Sequence, residues 1–153
     1  MKQKKMLTIL MLMVLMLTGC ETNLAYTFNI ETGEQVKVQL DTTNGQKLKQ
    51  EDGRFMVNTE EDEAMSIGVF FLPEVFNELY DGVSEMDGVT ILEENKESEP
   101  AYIFYQVDTD GSMEWNYLVK IKDAEVGVVV SNVTSQESAQ TVMELLTFEV
   151  NPD

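Results

Sequence analysis

The chain has 153 residues, with 10 Lys and Arg against 28 Asp and Glu, one cysteine, no histidine and a formal net charge of −18. Nucleic-acid binding requires basic side chains to displace counterions from phosphate, and direct adsorption to anionic lipid headgroups requires them too, so neither suits this chain. Without histidine, Ser-His-Asp and Cys-His catalysis and His-based zinc or haem ligation are excluded, and the expectation is a protein that is not an enzyme and uses no cofactor, with a carboxylate hydrolase as the remote enzyme alternative.

The chain opens with Lys2, Lys4 and Lys5, followed by MLTILMLMVLML (6–17), which is apolar apart from Thr8, and then the small residues Thr18 and Gly19. A basic start, an apolar run of this length and a small-residue end make the pattern of a secretory signal peptide. A membrane-crossing helix needs about 20 apolar residues, more than this run supplies. Leu17-Thr18-Gly19-Cys20 resembles the lipobox of bacterial lipoproteins. The resemblance implies a diacylglyceryl group on the Cys20 sulfur, cleavage before Cys20, and anchoring on the outer face of the cell membrane, or on the periplasmic side in a two-membrane envelope. Buried acyl chains contribute about 0.8 kcal/mol per methylene, so two chains hold stably where one holds marginally. The expected organisation is a signal peptide over 1–19, a short lipidated tether over 20–24 and one α+β domain over 25–153. With Cys20 acylated, no thiol remains for a disulfide, a metal site or a nucleophile.

AYTFNI (25–30) and QVKVQL (35–40) read as strands around a Thr32-Gly33-Glu34 turn, and Val36, Val38 and Leu40 alternate with polar residues. Asn44-Gly45 signals a turn. GRFMVN (53–58) and MSIGVFFL (65–72) read as further strands, separated by the acidic run Glu60 to Glu63, a solvated and self-repelling loop. At Pro73 the period changes to that of a helix, with Val75, Phe76, Leu79, Tyr80 and Val83 on one face. VTILEE (89–94) follows. AYIFYQV (101–107), EWNYLVKIK (114–122) and EVGVVVS (125–131) have the spacing of an antiparallel meander. Thr134 to Glu137 has capping-box spacing with Thr134 as cap. Ala139, Val142, Met143, Leu145 and Leu146 then form a helical stripe ending near Phe148.

Two helices and about eight strands predict an α+β fold, a mostly antiparallel sheet packed by two helices. Strands apolar on both faces, such as Phe70-Phe71 and Ile103-Phe104-Tyr105, predict a sheet covered on both sides. The late meander and the capped helix SQESAQTVMELLTFEV with its Leu-x-Phe tail are similar to the end of the Mog1/PsbP-like α/β/α sandwich. That resemblance implies a non-catalytic binding or accessory protein and carries over no functional residue.

Three local features compete as sites. Asp108, Asp110 and Glu114 around Gly111 supply oxygen ligands and a bend, as a calcium loop requires; the same residues make a β-hairpin turn, the preferred reading. Tyr102, Phe104, Trp115 and Tyr117 share faces of neighbouring strands, as a stacking platform for a ligand or as cross-strand core pairs. Asn132-Val133-Thr134 fits a glycosylation sequon, of little weight if Thr134 caps a helix. The functional expectation is a membrane-anchored binding or accessory module for a protein or cell-envelope partner. The alternatives are a small-ligand or calcium receptor, and a self-protection lipoprotein that intercepts cationic peptides.

Overall fold

The computed structural model describes residues 23–152. Residues 1–22, and with them the signal peptide and Cys20, lie outside the described residues. Strand β1 (Asn23–Asn29) pairs with β2 (Gln35–Asp41), and the period-two pattern of β2 buries Val36, Val38 and Leu40 completely. A turn closed by the Gly45 N–H donating to the Thr42 carbonyl at 3.0 Å takes the chain out of this sheet. A second sheet begins there with β3 (Lys47–Glu51), β4 (Arg54–Asn58) and β5 (Ala64–Phe71).

From β5 the chain enters α1 (Pro73–Gly82) and a 3-10 turn (Val83–Glu85), then reaches β6 (Val89–Asn95) at the opposite edge of the sheet. The meander β6, β7 (Ala101–Thr109), β8 (Ser112–Lys120) and β9 (Gly127–Asn132) folds back until β9 pairs with β5. The seven strands run in the order β3-β4-β5-β9-β8-β7-β6, every pair antiparallel. Helix α2 (Gln136–Leu145) then leads into β10 (Leu146–Val150), which pairs with β2 to complete a three-stranded sheet, β1-β2-β10. The architecture is α+β and mostly antiparallel. No helix among the described residues is long and apolar enough to cross a membrane.

Both faces of the large sheet are covered, which is why its central strands read as apolar runs. One face carries Phe104, Val119, Val128 and Val130 against Ala139 and Val142 of α2, and Phe55 and Phe70 against Phe28 and Phe148 of the small sheet. The other carries Ile103, Tyr105, Leu118 and Val129 against Phe76, Tyr80 and Val83 of α1 and its 3-10 turn. Each face has an aromatic ring lying on a glycine. A Cβ on Gly68 would sit 1.9 Å from Phe55 Cζ, and one on Gly127 would sit 2.1 Å from Phe76 Cδ2. Both positions are glycine because the ring fills the space a side chain needs.

Several expectations are corrected. KLKQE forms β3 although Leu48 is its only apolar residue; Asp52-Gly53, with φ of 50° and 76°, makes the two-residue turn that pairs it with β4. Val75 is not on the buried face of α1: it is 51% exposed, because the ridge through Phe76, Tyr80 and Val83 meets the sheet. Ser135, not Thr134, caps α2, its Oγ accepting from the Ser138 N–H at 3.0 Å. The helix stops at Leu145, and the Leu-x-Phe tail is strand β10, since Leu146, Phe148 and Val150 pair with β2. The acidic run is a turn in which Asp62 pairs with Lys47 and Lys49, at 3.5 and 3.0 Å, rather than a merely self-repelling loop. These two lysines hold the Asp62 carboxyl below its ordinary range, the Lys49 hydrogen bond most strongly.

Gly127→Ala is expected to lose about 1–3 kcal/mol in denaturant unfolding through displacement of Phe76. Gly82→Ala, with no atom within 4 Å of its Cβ and φ of −105°, is expected to be neutral or stabilising. Equal losses at the two positions would contradict the ring-on-glycine account. Ser135→Ala should cost about 1 kcal/mol in the same measurement, and Thr134→Ala little.

Candidate functional site

The meander, α2 and the start of β10 enclose a cleft of about 400 Å³. Its floor is Tyr102 on β7 and Tyr117 on β8, which the pairing Phe104↔Tyr117 and Tyr102↔Val119 places on one sheet face. One wall is Gln140, Met143 and Glu144, which share a helix face at i, i+3 and i+4. The end is closed by Leu146, and by Ser98, Glu99 and Pro100 of the β6–β7 connection.

The fourth side is Glu93, and a bulge puts it there. Ile91 pairs with Tyr105 and Glu93 with Phe104, so Leu92 is the extra residue and the alternation of β6 is reset. Without the bulge Glu93 would lie on the opposite face with Ile91. With it, Glu93 Oε1 accepts from the Tyr102 hydroxyl at 2.7 Å. That hydrogen bond is the largest cause raising the Tyr102 pKa above its ordinary value.

The wall formed by α2 is fixed by a buried amide. Asn132, 1% exposed, donates from Nδ2 to Ser66 Oγ at 2.9 Å and to Ser138 Oγ at 3.0 Å. Its Oδ1 accepts from the N–H groups of Thr134 and Ser135 at 2.9 and 3.2 Å. All its hydrogen-bonding groups are engaged inside the fold, so the sequon asparagine is a structural residue that presents no free amide.

Tyr102 and Tyr117 meet with centroids 5.6 Å apart at 59°, and Tyr117 stacks on Phe104 at 4.1 Å and 13°. Tyr117 is only 6% exposed, and its hydroxyl makes no hydrogen bond to a described residue. Burial raises its pKa most; Tyr102, Glu93 and Glu144, all of them cleft residues, raise it further. Glu99 is paired with Lys122 at 2.9 Å, whereas Glu93 and Glu144 have no basic partner among the described residues. Glu144 also stands in the last turn of α2, where the helix dipole is negative and no basic residue offsets it.

The four aromatic candidates therefore divide. Tyr102 and Tyr117 line the cleft. Phe104 is fully buried behind Tyr117, and Trp115 lies outside the cleft with its indole N–H buried and unpaired. Glu93, Gln140, Met143 and Glu144 went undetected because β6 shifts register and the α2 spacing reads equally well as core. The acidic loop candidate is not assembled: Asp110-Gly111, at φ of 52° and 87°, makes a two-residue hairpin turn, and Asp108 Oδ1 accepts from the Gly111 N–H at 2.9 Å. By strand alternation Asp108 and Glu114 lie on opposite faces of that hairpin. No group of three acidic side chains positioned to hold a metal ion occurs among the described residues.

Two predictions follow from these surroundings. Burial, and secondarily Glu114, push Tyr105 on the other sheet face up to about 12 from 10.0. Tyr105 and Tyr117 thus keep their protons in the fold after the unfolded chain has lost them, so stability falls as pH rises from about 10 to 12. Tyr105→Phe is expected to make that fall shallower in alkaline melting curves. Glu144→Gln is expected to raise the melting temperature at low salt, an effect fading at high salt; a lower melting temperature would contradict the dipole account. No family model, curated protein or solved structure matches the chain, so the chemistry of the cleft rests on its own residues.

Proposed function

We propose that this protein is an extracytoplasmic lipoprotein anchored through Cys20, whose single domain is a non-catalytic binding or accessory module that takes its partner in the Tyr102–Tyr117 cleft. The observation that carries the reading is the cleft itself: a concave site with an aromatic floor, two carboxylates without a basic partner among the described residues, and the hydroxyl of a largely buried tyrosine that no described residue engages. A half-apolar pocket with a few convergent polar groups is the usual form of a binding site. The chain has no histidine, and acylation would leave its single cysteine, Cys20, without a thiol for catalysis there. The lipobox-like LTGC supports the anchor. A Mog1/PsbP-like assignment is supported by the late meander leading to a capped helix, and by helices packed on both faces of the large sheet.

The position of the cleft supports a role close to the membrane. Leu24, Leu40 and Leu146 form one row across the small sheet. Leu24, the second residue of β1, is thus two strand spacings, about 10 Å, from the cleft residue Leu146. Cys20 and Asn23 are three residue steps apart, a span of at most about 11 Å. The anchor therefore holds the cleft near the membrane surface.

Mass spectrometry of the membrane-bound form should find the chain beginning at acylated Cys20, and Cys20→Ala should abolish that form. An unmodified leader in the mature protein would overturn the anchor. Capture from native membranes should recover one envelope partner with wild type. Glu93→Gln and Tyr117→Phe should reduce that recovery with little change in melting temperature. Recovery unaffected by either substitution would move the binding site away from the cleft. Ten Gly/Ser residues inserted between Thr22 and Asn23 should lower recovery if the partner lies in the membrane.

A further inference from the structure

The cleft's chemistry also names a ligand class, an inference that rests on the cleft being the binding site. We infer that it receives a single organic cation, the guanidinium or alkylammonium head of a basic side chain carried by a peptide or protein.

Four independent features converge on a cation. The Tyr102 ring meets Tyr117 at 59° on the cleft floor, and aromatic faces attract cations through their quadrupole. Glu93 on β6 and Glu144 on α2 both line the cleft, and neither is neutralised by a Lys or Arg among the described residues. The Glu93 carboxylate spends Oε1 on the Tyr102 hydroxyl, leaving Oε2 without a donor among the described residues. The C-terminus of α2 adds its own negative potential beside Glu144. An anion would be repelled by both carboxylates and the helix C-terminus, and a neutral ligand would leave the charge unused.

The Tyr117 hydroxyl makes the site more than an acidic cluster. It has no hydrogen-bond partner among the described residues, it belongs to a residue that is 6% exposed, and that residue lines the cleft together with Glu93 and Glu144. A donor-only ligand would engage this oxygen, Glu93 Oε2 and the Glu144 carboxylate together. Guanidinium fits best, since it is planar, carries five donors and no acceptor, and stacks on aromatic rings. Met143 lies beside the carboxylates as a pliant apolar surface for an alkyl stem. A volume of about 400 Å³ accommodates one such side chain rather than a folded segment. The same chemistry belongs to a free alkylguanidine, so the test separates the two sources.

The full lipidated chain in detergent micelles is titrated with four probes, read by calorimetry and by tyrosine fluorescence. The probes are a capped glycine-arginine-glycine peptide, its citrulline counterpart, a glycine-glutamate-glycine peptide and ethylguanidinium. The arginine peptide should bind, and citrulline, which keeps the shape without the charge, should bind at least about tenfold more weakly. The glutamate peptide should not bind. Ethylguanidinium binding more weakly than the arginine peptide assigns the ligand to a peptide; equal binding overturns that part and leaves a free small cation as ligand. Glu93→Gln and Glu144→Gln should each weaken the arginine peptide about tenfold. The triple substitution Glu60→Gln, Glu61→Gln and Glu63→Gln removes more charge far from the cleft and should leave affinity unchanged. If the triple substitution costs as much as either cleft substitution, the attraction is that of the whole acidic surface and the inference fails. If citrulline or glutamate peptides bind as well as arginine, the cleft binds ligands but the cation assignment is wrong. If no probe binds, the cation assignment fails, while partner capture by wild type against Glu93→Gln still decides the binding-module reading separately.

Discussion

The arrangement of the cleft depends on one buried side chain, Asn132. Its amide ties β9 to Ser66 on β5 and to Ser138 in the first turn of α2, while its carbonyl oxygen holds the two N–H groups that lead into the helix. A buried amide left half-satisfied would cost one to a few kcal/mol, so the only low-energy position for α2 is the one that completes this set. Everything the helix carries follows from that placement, including Gln140, Met143 and Glu144 on the cleft wall and the abrupt passage into β10. The tertiary link is long in sequence, 66 residues from Asn132 to Ser66, yet it is made by an ordinary polar side chain.

The large sheet accepts layers on both faces because at two points it has no side chain to move aside. Phe55 lies on Gly68 and Phe76 on Gly127, so each aromatic ring approaches the backbone and seats one covering layer. Around Phe55 the rings of Phe28, Phe70 and Phe148 gather at centroid distances of 5.1 to 6.1 Å and join the small sheet to the large one. A further tie comes from Glu34, whose carboxylate accepts from the N–H groups of Glu125 and Val126. The turn of the first hairpin is thereby pinned to the loop between β8 and β9. The fold is held by apolar layers with a few long-range polar pins, whereas its exposed ion pairs add little.

The cleft runs against the economy of the rest of the molecule. Elsewhere lysines meet acids, as Lys47 and Lys49 meet Asp62 and Lys96 meets Glu94. In the cleft Glu99 meets Lys122, but Glu93, Glu144 and a helix C-terminus concentrate negative potential with no basic partner of their own among the described residues. Such local costs persist where a ligand relieves them, which is the physical content of the proposed recognition of a basic side chain.

The sequence by itself determined the elements whose signals are local. The period-two alternation of β2, the helix opened by Pro73, the Asp-Gly turn of the β7–β8 hairpin and the two-sided apolar strands of a doubly covered sheet were all legible. It also showed that Tyr102, Phe104, Trp115 and Tyr117 would share a face, because alternation along paired strands leaves no other arrangement. Tertiary structure decided the rest. Strand β3 exists for one buried leucine and a two-residue turn, and β10 is a strand because an edge of β2 was waiting for it. Glu93 enters the cleft only through a bulge that resets its strand, and Ser135 takes the cap from Thr134 because Asn132 already holds the Thr134 and Ser135 N–H groups. Periodicity reports which residues share a face. Which face meets which, and where a register slips, is set by contacts between residues far apart in the chain.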